Sequence, residues 1–358
     1  MKAVILAAGQ GTRLRPVTLT MPKSLVPVAN KPLMAYAIDM LKNANVNEIA
    51  VVVNSLDSPI CKQLNSGAAL GVKLEYIVQE QQLGLAHATG LAKDFVGGDP
   101  FCLFLGDNIF QDKMENLIKE FPQSEADASI AVGEVSDPTR FGIAEVTNGL
   151  IIRVVEKPPD PPSNLAIAGI YLFRPSIFQS ISQIDPSDRG EYEITDAIQH
   201  LISSGHHVTP YVIKGWWIDA GKPDAIIRAN HLVLGELPYS PPPEGNDQIV
   251  GKCEISPRVT LGEGTKIIDS VIRGPVIIGR NVTIRNSYIG PYTSIGDNSV
   301  IENSEIDASI VMKDCEIRSI SGRIDSSLLA DNSVLTSAAV LVPSAHRFVL
   351  AENSYVQL

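Results

Sequence analysis

Cations gather at the start of this chain where no acid dilutes them. Between Met1 and Ile38 stand Lys2, Arg13, Arg15, Lys23 and Lys31 with no Asp or Glu, although the net charge is −11. Residues 6–27 read LAAGQGTRLRPVTLTMPKSLVP and follow the apolar run Ala3-Val4-Ile5-Leu6. Gly9 and Gly11 let backbone N–H groups approach phosphate oxygens that a side chain would block. Arg13 offers a planar fork for such oxygens and Lys23 a point charge on a flexible stem. A local reversal of sign in an acidic chain points to a bound polyanion, and the added cations suit a triphosphate better than a dinucleotide. GxGxxG is incomplete, because Leu14 stands where the third glycine belongs, and GxxxxGK[ST] is absent. Arg15 and Lys31 read equally well as solvated surface charges.

Asp107 and Asp219 each end an apolar, strand-like run. Mg²⁺ takes one or two carboxylates together with phosphate oxygens, so the pair is a candidate clamp; a single Asp in such a place serves equally as a turn former or helix cap. Gln79 carries an amide able to read a pyrimidine edge as donor and acceptor.

These residues need elements to carry them. Strands are expected at Val4–Ala8, Ile49–Val53, Leu74–Val78, Phe101–Leu105, Ser129–Glu134, Ile151–Glu156, Gly169–Phe173 and Val208–Val212. Helices are expected at Leu33–Asn43, Ala86–Phe95, Met114–Phe121, Glu193–Ser203 and after Pro223. The alternation predicts an α/β domain with a mostly parallel sheet and ligands at the carboxyl ends of its strands. The Gly9 loop, Gly106-Asp107-Asn108 and Asp219 would then share one crevice. Residues 238–246 (PYSPPPEGN) cannot continue helix or sheet and read as a linker. Beyond it Ile289, Ile295 and Ile301 recur every six positions. Ile-Gly or Leu-Gly pairs stand at Leu261, Ile278, Ile289 and Ile295. That period predicts a parallel β-helix of hexapeptide turns. The phase slips between Ile284 and Ile289 and blurs beyond Asp307. A β-sandwich with tight glycine turns is the alternative, disfavoured because antiparallel strands need longer spacings.

Six segments in order resemble the motifs of the sugar-1-phosphate nucleotidylyltransferase family: Leu6–Arg13 with Pro22-Lys23; Tyr76–Gln79 with Leu83–Ala88; Leu105–Asn108; Glu156-Lys157-Pro158; Arg189–Asp196; and Trp217–Gly221. With the hexapeptide tail the chain most resembles the long-form glucose-1-phosphate thymidylyltransferases. The resemblance implies a Rossmann-like catalytic domain over 1–237, a linker over 238–248 and a left-handed β-helix over 249–358. It implies Mg²⁺ on Asp107 and Asp219, and catalytic roles for Arg13, Lys23 and Asp107. Leu6, Ala8, Gly9, Gly11, Thr12, Arg13, Gln79 and Gly84 would hold the nucleotide. Asn108, Gly142, Glu156, Lys157, Ile167 and Arg189 would hold the sugar phosphate. The substrates implied are dTTP, or UTP, and glucose 1-phosphate. The shorter relatives carry Gln where this chain has His87, which reads as a helix-surface residue. Trp216 and Trp217 read as packing beside Asp219.

The chemistry agrees with the residues. A phosphate monoester has a second pKa of about 6, so the nucleophile is already ionised and needs no general base. The obstacle is bringing two polyanions together, which calls for cations and a metal ion. A non-catalytic sugar-nucleotide sensor is the reading from another class, but Arg13, Asp107 and Asp219 are all retained. Some hexapeptide β-helices transfer acetyl groups with a histidine base, yet residues 232–345 contain no histidine and His346 lies past the clear repeats. Assembly into a homo-oligomer, or regulation, is therefore expected of the tail. Acidic balance argues against nucleic acid and anionic membrane as partners. No apolar run approaches the ~20 residues of a span. Cys61, Cys102, Cys253 and Cys315 form no CxxC pair and read as thiols of a reducing cytoplasm.

Overall fold

A computed structural model describes residues 1–242 and 248–337; part of the predicted linker and His346 lie outside them. Two compact units emerge. One comprises residues 1–11, 21–25 and 33–219, the other residues 12–20, 26–32 and the chain from 220 onward.

The first unit is built on a nine-stranded mixed Rossmann-like sheet. Strands Phe101–Leu105, Lys2–Leu6, Glu48–Val53 and Lys73–Val78 lie side by side and parallel, with Leu6 opposite both Val52 and Leu105. Ala3, Val4 and Ile5 are fully buried, which is why this run is apolar throughout: a central parallel strand is covered on both faces. The other half is largely antiparallel. Leu165–Phe173 joins Phe101–Leu105 to Ala128–Glu134 and to the hairpin Gly142–Thr147/Leu150–Glu156. That hairpin turns on Asn148-Gly149, both with positive φ, the pair that a two-residue turn of this hand favours.

Helix Leu33–Asn43 buries Leu33, Met34, Ala37, Ile38 and Leu41 on one face, the spacing of an amphipathic helix. The helix expected over Ala86–Phe95 forms as two pieces, Leu85–Gly90 and Lys93–Val96. Gly90 ends the first piece. A helix-interior glycine costs roughly 0.5–1 kcal/mol relative to Ala, and this one packs close to Ile181.

The second unit contains a left-handed parallel β-helix of three sheets. Lys266 pairs with Thr283, Thr283 with Val300, Val300 with Glu316 and Glu316 with Val334. Three full hexapeptides would give coils of eighteen residues; the middle coils lose one or two at a corner. This explains the slip from Ile284 to Ile289 and its repeat from Ile301 to Ile306. Beyond Asp307 the coils lengthen and pairing continues to Thr336. The parallel register excludes the sandwich. Ile267, Ile284, Ile301 and Ile317 stack along one inner edge, and all are fully buried. Asn281, Asn298 and Asp314 turn one corner with positive φ, which short polar side chains tolerate best, and their side chains hydrogen-bond from coil to coil.

Helix Pro223–Gly235 belongs to the same unit. It starts with Pro at its first position and buries Asn230 completely. The Asn230 Oδ1 accepts from Ala29 N–H at 2.8 Å and from the Ser294 hydroxyl at 3.0 Å; its Nδ2 donates to the Tyr292 carbonyl at 2.9 Å. Asn30 Nδ2 donates to the Ile295 carbonyl at 2.7 Å. Among the described residues no helix is long and apolar enough to cross a membrane.

Candidate active site

Parallel strands end together, and their ends bring the first candidates to one edge. Ala7 N–H donates to Val52 O at 2.9 Å, Gly106 N–H to Leu6 O at 3.0 Å and Gln79 N–H to Val53 O at 2.8 Å. A Cβ on Gly106 would stand 3.1 Å from both Ile5 Cγ2 and Leu6 O, so glycine lets the chain cross the first strand. Ala8 is buried, and its carbonyl accepts from Gln82 Nε2 at 2.8 Å. Gly9 is exposed, and among the described residues no atom beyond its chain neighbours lies within 4 Å of where its Cβ would be. Gly11 has φ +62. Thr12 and Arg13 follow on a short 3₁₀ turn, Thr12–Leu14, with both side chains exposed. The Arg13 guanidinium makes no ion pair among the described residues.

Lys23, Asp107 and Asp219 form the densest charge cluster. A two-stranded ribbon, Asn108–Phe110 against Trp217–Asp219, sets Asp219 opposite Asn108 and so beside Asp107. The Lys23 ammonium bonds directly to Asp107 Oδ2 and lies 3.5 Å from Asp219 Oδ1. Lys23 is 11 % exposed and the carboxylates 30 % and 31 %, so one shielded cation holds two half-open anions together. Two carboxylates converging on one cationic point are a donor set that suits Mg²⁺ completed by phosphate oxygens. No group of three or more His, Cys, Asp or Glu side chains suited to a metal occurs among the described residues.

Asn108 is buried. It donates from Nδ2 to Asp107 Oδ1 at 2.8 Å and accepts from Trp217 Nε1 at 2.6 Å, so its amide orients Asp107. Trp217 packs against Phe110 and Phe141.

A second cluster gathers the predicted sugar-phosphate residues. A Cβ on Gly142 would stand 2.7 Å from Thr195 Cγ2, 3.1 Å from Glu156 Oε2 and 3.5 Å from Ile167 Cδ1, which places these four side by side. Glu156 Oε1 lies 3.0 Å from the Lys157 ammonium and 3.5 Å from Arg189 Nη2. Arg189 also meets the buried Glu193 at 2.5 Å. Burial pulls the Arg189 guanidinium down, but the Glu193 bond and the charges of Glu193, Glu156 and Glu191 outweigh it and hold its pKa above the usual value. Arg189 therefore stands charged among acids that orient it, with Lys157 beside the same Glu156.

Gln79 and Gly84 make a third group. Gln79 Nε2 lies 3.2 Å from Gly84 O and 3.0 Å from His87 Nδ1. Gly84 has φ +107, and a Cβ there would stand 2.5 Å from Tyr192 O. Tyr192 N–H donates to Leu83 O at 2.7 Å, and Ala86 N–H to Tyr192 O at 3.0 Å. The expected base segment is thus laced to the segment that carries Arg189.

Several residues here escaped the sequence reading. Glu193 and Thr195 lie inside a quoted motif, yet no spacing rule singles them out. Tyr171 is buried within electrostatic reach of Glu156 and Asp107; burial first, then those two charges, push its phenol far above the ordinary range. Gln82 and His87 act through hydrogen bonds that link separate elements, which a single sequence does not reveal.

A mixed Rossmann-like sheet with cations and carboxylates at its strand ends suits an enzyme that handles phosphate-bearing substrates. Residues 2–236 match the family model described as nucleotidyl transferase, and the chain belongs to that family. It is 44 % identical over 362 residues to the low-salt glycan biosynthesis nucleotidyltransferase Agl11 of Haloferax volcanii, covering all of both chains. It is 39 % identical over 359 residues to a glucose-1-phosphate thymidylyltransferase of Streptomyces griseus, covering 100 % of this chain and 99 % of that one. A crystal structure described as a putative glucose-1-phosphate thymidylyltransferase from Bacillus anthracis, in complex with a sucrose, superposes with a TM-score of 0.61 at 39 % identity, covering 65 % of this chain and 94 % of that one.

Proposed function

We propose that this chain transfers the thymidylyl group of dTTP to glucose 1-phosphate, giving dTDP-glucose and pyrophosphate. The observation that carries the reading is Lys23 held between Asp107 and Asp219 at the carboxyl edge of the parallel strands. The sugar phosphate attacks the α-phosphorus in line, already ionised. Lys23 neutralises charge near the reacting phosphorus. Arg13, with its guanidinium in no ion pair among the described residues, takes the departing β- and γ-phosphates. Mg²⁺ on Asp107 and Asp219 would supply electrostatic stabilisation of the phosphoryl oxygens. Backbone at Leu6, Ala8, Gly9, Gly11 and Thr12 follows the triphosphate, and Gln79 and Gly84 meet the base. Lys157 and Arg189 grip the sugar phosphate, while Asn108, Glu156, Gly142 and Ile167 line the sugar. In this reading residues 1–237 carry the reaction, 238–248 are linker, and 249–358 assemble copies of the chain in the cytoplasm.

UTP is the second reading for the nucleotide. The Gln79 amide has no means of sensing a thymine methyl, and the name of the Haloferax relative specifies no base. The deciding experiment is pyrophosphate release with glucose 1-phosphate and dTTP, UTP, ATP or GTP in turn. Release with dTTP above the rest supports the proposal, and a preference for UTP selects the second reading. No release with any of the four overturns nucleotidyl transfer to this sugar.

A further inference from the structure

Gln79 is 4 % exposed at the carboxyl end of strand Lys73–Val78, and its amide is not free to choose an orientation. A carbonyl oxygen only accepts, so the Gly84 carbonyl at 3.2 Å fixes which side bears the nitrogen. That nitrogen carries two protons and no available lone pair. Its contact with His87 Nδ1 at 3.0 Å is therefore a donation, with that ring nitrogen as the acceptor. Both amide protons are thus committed within the protein. The opposite atom, Oε1, has no hydrogen-bond partner among the described residues. Nor is it one of the sealed orphans, which are Ser176 Oγ, Trp216 Nε1 and Thr293 Oγ1. Gln79 consequently offers an acceptor and nothing else.

We propose that His87 is a positioning residue that sets the class of base admitted. By locking the Gln79 amide it presents Oε1 alone, which pairs with a pyrimidine whose ring nitrogen carries hydrogen: the imide edge of uracil or thymine. Cytosine turns an acceptor there, and two acceptors repel. The inference rests on the nucleotidyl-transfer reading and deepens it. It accounts for a histidine in a helix position that sequence alone assigns to the surface: Nδ1 supplies a lone pair that a lysine or arginine would lack.

The test measures kcat/KM of the full chain for UTP and for CTP with glucose 1-phosphate, in the native protein and in His87→Asn, His87→Ala and His87→Lys. The native protein should favour UTP by roughly a hundredfold or more. His87→Asn keeps an acceptor oxygen at the same place and should keep the ratio. His87→Ala should lower it about tenfold, mainly through KM for UTP, because only the longer bond to the Gly84 carbonyl then resists a turn of the amide. His87→Lys puts a donor against a donor and should lower it further. Circular dichroism checks that each variant folds. A ratio unchanged in His87→Ala, or lost equally in His87→Asn, overturns the proposal. Calorimetric binding of UTP and CTP reads the same ratio without turnover. A chain that selects UTP through His87 but releases no pyrophosphate therefore supports this inference and overturns the transfer reading alone.

Discussion

Asn230→Ala removes a fully buried amide that satisfies three partners at once: Ala29 N–H, the Ser294 hydroxyl and the Tyr292 carbonyl. A net hydrogen bond contributes only about 1 kcal/mol, but each buried group left without a partner costs about 1–3 kcal/mol. Three orphans, with one water entering the space to satisfy some of them, put the expected loss at about 3–5 kcal/mol. Against a typical total of about 5–15 kcal/mol that is a large fraction. For a unit of this size it corresponds to a fall in Tm of roughly 6–20 °C. Scanning calorimetry of the full chain measures it, because the affected unit should unfold at lower temperature with its own enthalpy. Asn230→Leu is the control: it refills the volume but makes none of the bonds. If Asn230→Leu restores stability, packing rather than hydrogen bonding holds the helix, and the reasoning is refuted. A loss below about 1 kcal/mol in Asn230→Ala refutes it as well.

Asp107→Asn and Asp219→Asn should each slow pyrophosphate release by about a hundredfold or more with the circular dichroism spectrum unchanged, since Lys23 keeps one charged partner; near-native rates would remove both from the metal role. Gly84→Ala forces a Cβ to 2.5 Å from the Tyr192 carbonyl oxygen at a φ of +107, so it should cost about 1–3 kcal/mol and weaken nucleotide binding; unchanged nucleotide affinity by calorimetry would contradict the close approach. The Asp196 carboxyl is pushed above its ordinary 3.8 by burial, then by the charges of Glu193 and Glu156, against a smaller opposing pull from Arg189. A raised folded-state pKa stabilises below the unfolded value and loses that contribution as pH rises through the folded value. Asp196→Asn should therefore raise Tm near neutral pH, with the gain closing below the ordinary carboxylate range. A Tm difference that does not vary with pH would show that the charge is not what matters.

The strands of the first unit were legible because central parallel strands must be apolar on both faces, and Val4, Val51 and Leu103 are fully buried as that rule demands. The hairpin at Asn148-Gly149 was not read from the sequence, because its first strand, Gly142–Thr147, alternates too weakly to stand out beside its partner. The β-helix announced itself through its period, yet the shortened corners were visible only as a loss of phase. Lys23, Asp107 and Asp219 could be named from the sequence. The ribbon that sets Asp219 beside Asn108 could not, because two three-residue strands a hundred residues apart leave no periodic trace. His87 does stand on a helix, half-buried, but a helix pattern does not say that its Nδ1 lies 3.0 Å from the amide of Gln79, just past strand Lys73–Val78.

Tyr192 exchanges backbone hydrogen bonds with Leu83 and Ala86 while Gly84 sits beneath it, so the two segments cannot be ordered independently. Fixing a residue's backbone costs roughly 1–2 kcal/mol in conformational entropy. A ligand that fastens either segment has therefore already ordered the other, and a second ligand meets a smaller penalty. Such a coupling is reciprocal by thermodynamic necessity. Ligands held by the two segments would each tighten the other's hold, and neither would need a change of shape to do it.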